Sequence, residues 1–263
     1  MSKLKNAIIG GLAALTIGAT QAKAQLQPDA NTAGLCPPGL PYSVDTNTRA
    51  LYHLDGNTED ATGVNNGNPA TPPYEWVEGS CNLAIKLQDG YVRIPNHPSL
   101  NDNLNQLTLE AMVNPDSLIM GGNNDIIRKI TRQDAFQYLL RIVDDSLLWF
   151  QFQTQNVRSH IIFYDYQFQL GQWYHIAATY DGQFSRLFVN RQMVAESASP
   201  PGPINNDSDS ELFISTPLGD NNGFYGLIDE VRISNIARDF STTSVPEGTL
   251  EESTWGRIKH TYK

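Results

Sequence analysis

Cysteine is scarce in this chain, and basic charge is in deficit. Two cysteines, Cys36 and Cys81, stand among 263 residues. That is too few for a disulfide framework, and no further Cys or His lies close enough to either to complete a zinc site. Eighteen Lys and Arg face 28 Asp and Glu, for a formal net charge of −10. A chain this acidic repels phosphate backbones and anionic lipid, which excludes nucleic acid as a partner class.

Long apolar runs are missing beyond residue 19. The one run, Ala7 to Ala19, follows Lys3 and Lys5 and is closed by Ala22-Lys23-Ala24. It is shorter than the ~20 residues a membrane span needs. A basic start, a short apolar centre and a small-x-small site describe a secretory leader over 1–24, with Gln25 as the first mature residue. Loss of Lys3, Lys5 and Lys23 leaves the mature chain more acidic still, and that mature chain holds no membrane span. The expected destination is outside the cytoplasm: extracellular, cell surface or periplasm. In such a setting two cysteines point to one disulfide, Cys36–Cys81, with two buried free thiols as the alternative.

Convincing helical periodicity is absent until the tail. Residues 25–48 are rich in Pro, Gly, Asn and Thr and read as an extended entry segment. From 49 to 238 the pattern is short β-branched and aromatic runs separated by Gly, Asn, Asp and Pro, which marks an antiparallel sandwich. Gln137, Leu139, Arg141 and Val143 alternate with Tyr138, Leu140 and Ile142. Leu148, Phe150 and Phe152 alternate with Leu147, Trp149, Gln151 and Gln153. The period is two, and Asp144-Asp145 between the runs makes them a hairpin. A second hairpin joins Tyr174–Tyr180 to Arg186–Asn190 through Asp181-Gly182. In the tail, 239–263, Thr249 and Glu252 form a capping box ahead of Trp255, Ile258 and Tyr262 at helical spacing, so a short helix or an unstructured end is expected.

Hydrolytic signatures are lacking too: there is no His-Glu-x-x-His, no Gly-x-Ser-x-Gly and no phosphate loop. Asp229 and Glu230 are adjacent, so a regular strand points them to opposite faces. Ser185 has no base near it in sequence.

Four stretches resemble the bacterial laminin-G-like group of the concanavalin A-like lectin/glucanase superfamily. They are Leu51-Tyr-His-Leu-Asp-Gly56 with Asp60 and Gly67; Gly90-Tyr-Val-Arg-Ile-Pro-Asn96 with Leu107-Thr-Leu-Glu-Ala-Met-Val113; Trp173-Tyr-His-Ile-Ala-Ala-Thr-Tyr-Asp-Gly182 with Leu187-Phe-Val-Asn190; and Gly226-Leu-Ile-Asp-Glu-Val-Arg-Ile233. The resemblance implies an all-β, two-sheet antiparallel jelly-roll sandwich over 49–238. Two positions depart from the group's pattern. Arg191 stands where a turn glycine is usual, and Met112 where a tryptophan is usual, which removes an aromatic core contact.

The resemblance also implies a structural calcium in some members. Hard cations take several oxygen ligands, and Asp55, Asp60, Asn66, Gly67 and Asp229 are the candidates here, with the first and last strands expected to be neighbours. Hydrogen bonding of Asp55 and Asp229 to loop amides, without an ion, is the alternative. Superfamily glucanases carry paired carboxylates two and four residues apart on one strand face; no such set is present, so the expectation is a non-catalytic module. Glycan binding needs flat aromatic faces and polar neighbours. Tyr164 and Tyr166, with Trp149 and Tyr138, form one candidate glycan site. Asn222 and Tyr225, in a loop with Phe224, form a second. Arg128, Arg141 and Arg158 offer hydrogen bonds to an acidic sugar. The expected partner is a glycan, or alternatively an extracellular or envelope protein bound without sugar specificity.

Overall fold

In a computed structural model the described residues are 40–101, 104–130, 136–155, 157–205, 210–216 and 222–240. The expected leader, Cys36, most of the entry segment and the expected tail helix lie outside them. Fourteen strands and one 3-10 turn, Pro98–Leu100, make up the described fold. Among the described residues no helix is long and apolar enough to cross a membrane.

Eight strands form one antiparallel sheet. They are β1 (Thr48–Tyr52), β2 (Tyr74–Glu78), β3 (Leu83–Gln88), β5 (Leu107–Ser117), β10 (Tyr174–Tyr180), β11 (Phe184–Val189), β12 (Gln192–Ala198) and β14 (Tyr225–Ser234). Their order is β12-β11-β10-β5-β14-β3-β2, with β1 also on β14. The first and last strands are therefore neighbours, as expected. The other sheet holds β4 (Tyr91–Ile94), β6 (Asn123–Ile130), β7 (Phe136–Val143), β8 (Leu147–Thr154), β9 (Val157–Asp165) and β13 (Glu211–Ser215), in the order β4-β13-β6-β7-β8-β9. Both hairpins read from the sequence are present as β7–β8 and β10–β11.

Period-two alternation builds the core. Leu148, Phe150 and Phe152 of β8 and Tyr138, Leu140 and Ile142 of β7 face Leu109, Ala111, Ile176, Ala178, Ile228 and Ile233 of the opposite sheet, and all are buried. Phe150 and Phe152 lie with ring centroids 4.9 Å apart, and Tyr180 reaches Phe152 at 4.6 Å. Met112 belongs to the other face of β5: it is buried but outside this cluster, so its exchange for tryptophan costs the core nothing.

Irregularities in the ladders re-aim side chains. A register shift between Asp125 and Ile127 turns both Ile126 and Ile127 into the core. Asp125 and Arg128, an odd number of positions apart, thereby share the outer face. In β14 the shift between Asp229 and Arg232 coincides with Glu230 at φ +49°. At the start of the same strand Gly226 takes φ +149°, where an added Cβ would lie 2.3 Å from the Asn114 carbonyl oxygen. Only glycine lets β14 and β5 run that close.

Candidate ligand-binding site

The outer face of the six-stranded sheet carries a row of directly opposed residues. Asp125 of β6 faces Arg141 of β7, Arg141 faces Trp149 of β8, and Trp149 faces Phe163 of β9. Directly opposed side chains interact across strands. Trp149 and Phe163 lie parallel, with centroids 5.6 Å apart and planes 16° from coplanar. Trp149 is half-buried and Phe163 is 48% exposed, so the pair presents a flat apolar plate to solvent. The Trp149 indole N–H donates to the Gln151 amide oxygen at 3.3 Å, which fixes the ring edge beside a polar neighbour.

Next to the plate the face becomes charged. Asp125, fully buried, takes Arg128 Nη1 at 3.1 Å on one oxygen and Arg141 Nε at 3.1 Å on the other. Burial pushes its carboxyl above the ordinary aspartate range, against the pull of Arg141 and Arg128. Arg128 also donates to the Thr216 hydroxyl at 2.7 Å. Beyond Arg128 the row continues to Phe213 and then Arg93. Phe213 meets Tyr91 edge-to-face, and Arg93 pairs with Glu211. The face thus alternates aromatic plate, arginine cluster and second aromatic pair.

The predicted glycan residues are divided among several places. Trp149 is on the plate. Tyr138 is not: it is fully buried in the core, its hydroxyl donating to the Leu100 carbonyl. Its parity with Leu140 and Ile142 already placed it there. Tyr164 and Tyr166 are half-buried and packed against the core. In β9 the outward positions are the odd ones, so Phe163 and Ile161 face solvent where the tyrosines were expected. Tyr166 also packs edge-on to Tyr174. Asn222 accepts from the Asn123 amide at 2.6 Å, and Tyr225 hydrogen-bonds Asp89. These two tie the loop ahead of β14 to its neighbours and lie off the row. The Arg158 side chain is outside the described residues.

The five calcium candidates are used as hydrogen-bond acceptors or loop backbone. Asp60, 3% exposed, accepts from the backbone of Leu51, Thr62 and Asn65 and from the Thr62 hydroxyl. Asn66 accepts from Asp60 N, and the Gly67 carbonyl from the Thr58 hydroxyl. Asp55 accepts from Leu83 N and Asn82 Nδ2. Asp229 accepts from Cys81 N at 3.0 Å, while its other oxygen has no partner among the described residues. N–H and O–H groups pointing at a carboxylate repel a cation from the same lone pairs. This donor set does not fit a calcium ion. Among the described residues no three His, Cys, Asp or Glu side chains are gathered as a metal site.

On the outer face of the eight-stranded sheet lies a cluster that sequence reasoning missed. Glu110 of β5 is fully buried. It takes Arg232 Nε at 2.7 Å and His175 Nε2 at 3.3 Å, with Arg238 Nε at 3.7 Å. The guanidinium of Arg232 lies 4.1 Å over the Tyr42 ring. Sheet order brings residues 110, 175 and 232 together, and Tyr42 and Arg238 join them from the segments before β1 and after β14. The available signal was a charged residue within an otherwise apolar strand run, Leu-Thr-Leu-Glu-Ala-Met-Val.

Residues 87–241 match the family described as the concanavalin A-like lectin/glucanases superfamily. The chain belongs to that superfamily. Among its structural relatives is domain 4 of a GH43 extracellular arabinanase from Geobacillus stearothermophilus, solved with arabinotriose. It is 19% identical, covers 74% of this chain and 95% of its own, and has a TM-score of 0.57. The binding domain of botulinum neurotoxin DC, solved with rat synaptotagmin II, is 13% identical over 75% of this chain and 51% of its own, with a TM-score of 0.59. In sequence, human pappalysin-1 is 32% identical over 105 residues, which is 35% of this chain and 6% of that protein. At these identities the structural likenesses describe a fold.

Within a superfamily that includes glucanases, carboxylate placement matters. Glycoside hydrolysis uses two carboxyl groups flanking the bond. Here Asp125 is held between arginines, and the positions opposite it and beyond are Arg141, Trp149 and Phe163. Ser185, which had no base in sequence, does have one in space: His160 Nε2 is 3.1 Å from its hydroxyl and 3.1 Å from that of Ser199. Ser185 is fully buried, however, so the contact fastens β9 to β11 instead of exposing a nucleophile.

Proposed function

We propose that this domain is an exported, non-catalytic module that binds glycans on the outer face of its six-stranded sheet. The observation that carries the reading is the row Asp125–Arg141–Trp149–Phe163. A stacked aromatic plate suits the C–H face of a sugar ring, and an adjoining arginine suits hydroxyl or carboxylate oxygens. The arginines favour acidic sugars in an otherwise acidic protein. The arabinotriose held by the arabinanase domain is in keeping with a carbohydrate ligand.

A glycan array followed by titration calorimetry tests this. An acidic oligosaccharide is expected to bind, and Trp149→Ala to weaken it about 10- to 100-fold, the ~1.4–2.8 kcal/mol typical of losing an aromatic anchor. Trp149 is half-buried on the outer face, so the variant retains the core. Unchanged affinity in the double variant Trp149→Ala, Phe163→Ala would refute the site. A protein partner is the second reading, favoured by Ile161 and Phe163, 40% and 48% exposed on the edge strand β9. The receptor-bound toxin domain has the same fold. An array with no hits, together with a protein captured by wild type and lost in Phe163→Ala, would favour it.

Export carries a covalent corollary. Cys81 is buried and is not a free thiol, and Cys36 is the sole other cysteine of the chain. A Cys36–Cys81 bridge fits both facts. The unreduced protein is then expected to take up no alkylating reagent after denaturation, and two labelled thiols would disprove the bridge.

A further inference from the structure

The aromatic plate of the outer face is half of a four-residue patch. Trp149 faces Phe163 across β8 and β9, and two positions further along Gln151 faces Ile161. All four point away from the core, since Phe150 and Ile162 between them are core residues. Opposed residues stand about 5 Å apart and same-face neighbours about 7 Å apart along a strand, so the patch has the size of one sugar ring. Phe163 and Ile161 are exposed, and Trp149 and Gln151 are half-buried. Three corners are apolar and the fourth is a carboxamide. Two hydrogen bonds fix which way that carboxamide points. The Trp149 indole N–H can only donate, so the Gln151 atom 3.3 Å from it is Oε1. Nε2 is then the atom that donates to the Ser159 hydroxyl at 3.0 Å. A carboxamide carries two N–H hydrogens and two oxygen lone pairs. Among the described residues one of each is used. The second N–H and the second lone pair are left for whatever sits on the patch. A glutamate here would offer acceptors only and a lysine donors only; glutamine offers one of each, side by side.

We propose that Gln151 reads hydroxyl groups in the outer-face site, and that the ligand is a glycan whose bound ring carries two free neighbouring hydroxyls. This rests on the outer-face reading and deepens it. The C–H face of the ring covers Trp149, Phe163 and Ile161. One hydroxyl accepts from Gln151 Nε2, and its neighbour donates to Oε1. The indole and Ser159 hold the amide in that orientation. A hydroxyl is donor and acceptor at once, so a pair of them satisfies both atoms of the amide. A ring with those positions blocked covers the amide and leaves it unpaired. An unpaired polar group in a covered site is what gives hydroxyl recognition its discrimination.

Calorimetric titration of the full chain with tri-D-galacturonate, and with the same trimer acetylated on its ring hydroxyls, tests the proposal. The two probes carry the same charge, and only the first has free neighbouring hydroxyls. Wild type is expected to bind the plain trimer about tenfold or more tightly than the acetylated one. Gln151→Met keeps the size of the side chain and removes both polar atoms. It is expected to bring the plain trimer down to the affinity of the acetylated one and to leave the acetylated trimer unchanged. Equal weakening of both trimers would show that Gln151 only supports Trp149, and would overturn the proposal. So would equal affinity of wild type for the two trimers, or full affinity for the plain trimer in Gln151→Met. In each of those cases, binding that is lost in Trp149→Ala still upholds the outer-face reading, so the two failures are told apart. Wild type that binds neither trimer overturns the proposal as well, and the array then decides the outer-face reading by itself.

Discussion

Glu110→Ala is expected to destabilise this protein by about 3–5 kcal/mol, the cost of removing one partner from a buried ionic cluster. At the ~2–4 °C per kcal/mol of a domain this size, the melting temperature falls by roughly 6–20 °C. Glu110 has no exposed surface, and it is the counter-charge to Arg232 at 2.7 Å and to Arg238 at 3.7 Å. Its loss leaves the Arg232 guanidinium without the carboxylate it pairs with in a poorly solvated layer, whereas Arg238 keeps Asp45 at 2.9 Å. The damage should come mostly from that stranded cation. Adding Arg232→Met to Glu110→Ala is therefore expected to recover part of the loss, a coupling that a double-mutant cycle measures. Burial works against ionisation of Glu110, yet His175 and Arg232 hold its carboxyl below the ordinary glutamate value. A depressed carboxyl gives stability above its unfolded pKa and loses it as pH falls through the folded one. Wild type should therefore show an acid-side loss below about pH 4 that the variant lacks. A loss under about 1 kcal/mol would show that the cluster contributes little, within the range of an exposed pair.

That cluster marks where the sequence stopped being legible. Strand alternation was readable because period two is a local property: Tyr138, Leu140 and Ile142 fall together without knowledge of any partner strand. The same parity put Trp149 outward, and the structure keeps it there. Density of aromatics is a poorer guide than parity to which ring faces outward in β9. In Phe163-Tyr-Asp-Tyr166 the outward residue is Phe163, and the tyrosines turn toward the core. Ladder irregularities were a second blind spot. The shift at Asp125/Ile127 places Asp125 and Arg128 on one face, and no periodic rule anticipates it. The third was distance along the chain. His160 and Ser185 lie on strands of different sheets that meet at one side of the sandwich, and only the fold brings them together.

The bulge in β14 sets up the other large effect, at Asp229. The adjacent acids Asp229 and Glu230 do not behave as residues of a regular strand. Glu230, at φ +49°, turns to accept from Tyr42 N at 2.7 Å and to meet His53 at 2.8 Å. Asp229 is left fully buried beside the Ser80-Cys81 turn. Burial pushes its carboxyl up to about 8, with the Glu230 charge adding to the rise and the Cys81 N–H opposing it. The unfolded value is about 3.9. A group whose folded pKa is raised contributes its stability in full below the unfolded value and loses it as pH rises through the folded one. Stability should thus decline between about pH 4 and 8 on account of this residue. Asp229→Asn keeps an acceptor for Cys81 N–H and never ionises. It is expected to match wild type near pH 4 and to exceed it by about 2 kcal/mol or more at pH 8, since burying an uncompensated charge costs at least that much. Chemical denaturation at the two pH values measures the difference. The sign also decides the calcium question. A calcium ion at Asp229 would need the ionised carboxylate and would stabilise the fold by mass action. Asp229→Asn would then weaken the protein at pH 8, and a chelator would lower the wild-type melting temperature toward that of the variant. Burial outweighs the opposing Cys81 N–H, so the expected outcome is a proton at this site, a gain in stability for the asparagine variant and indifference to the chelator.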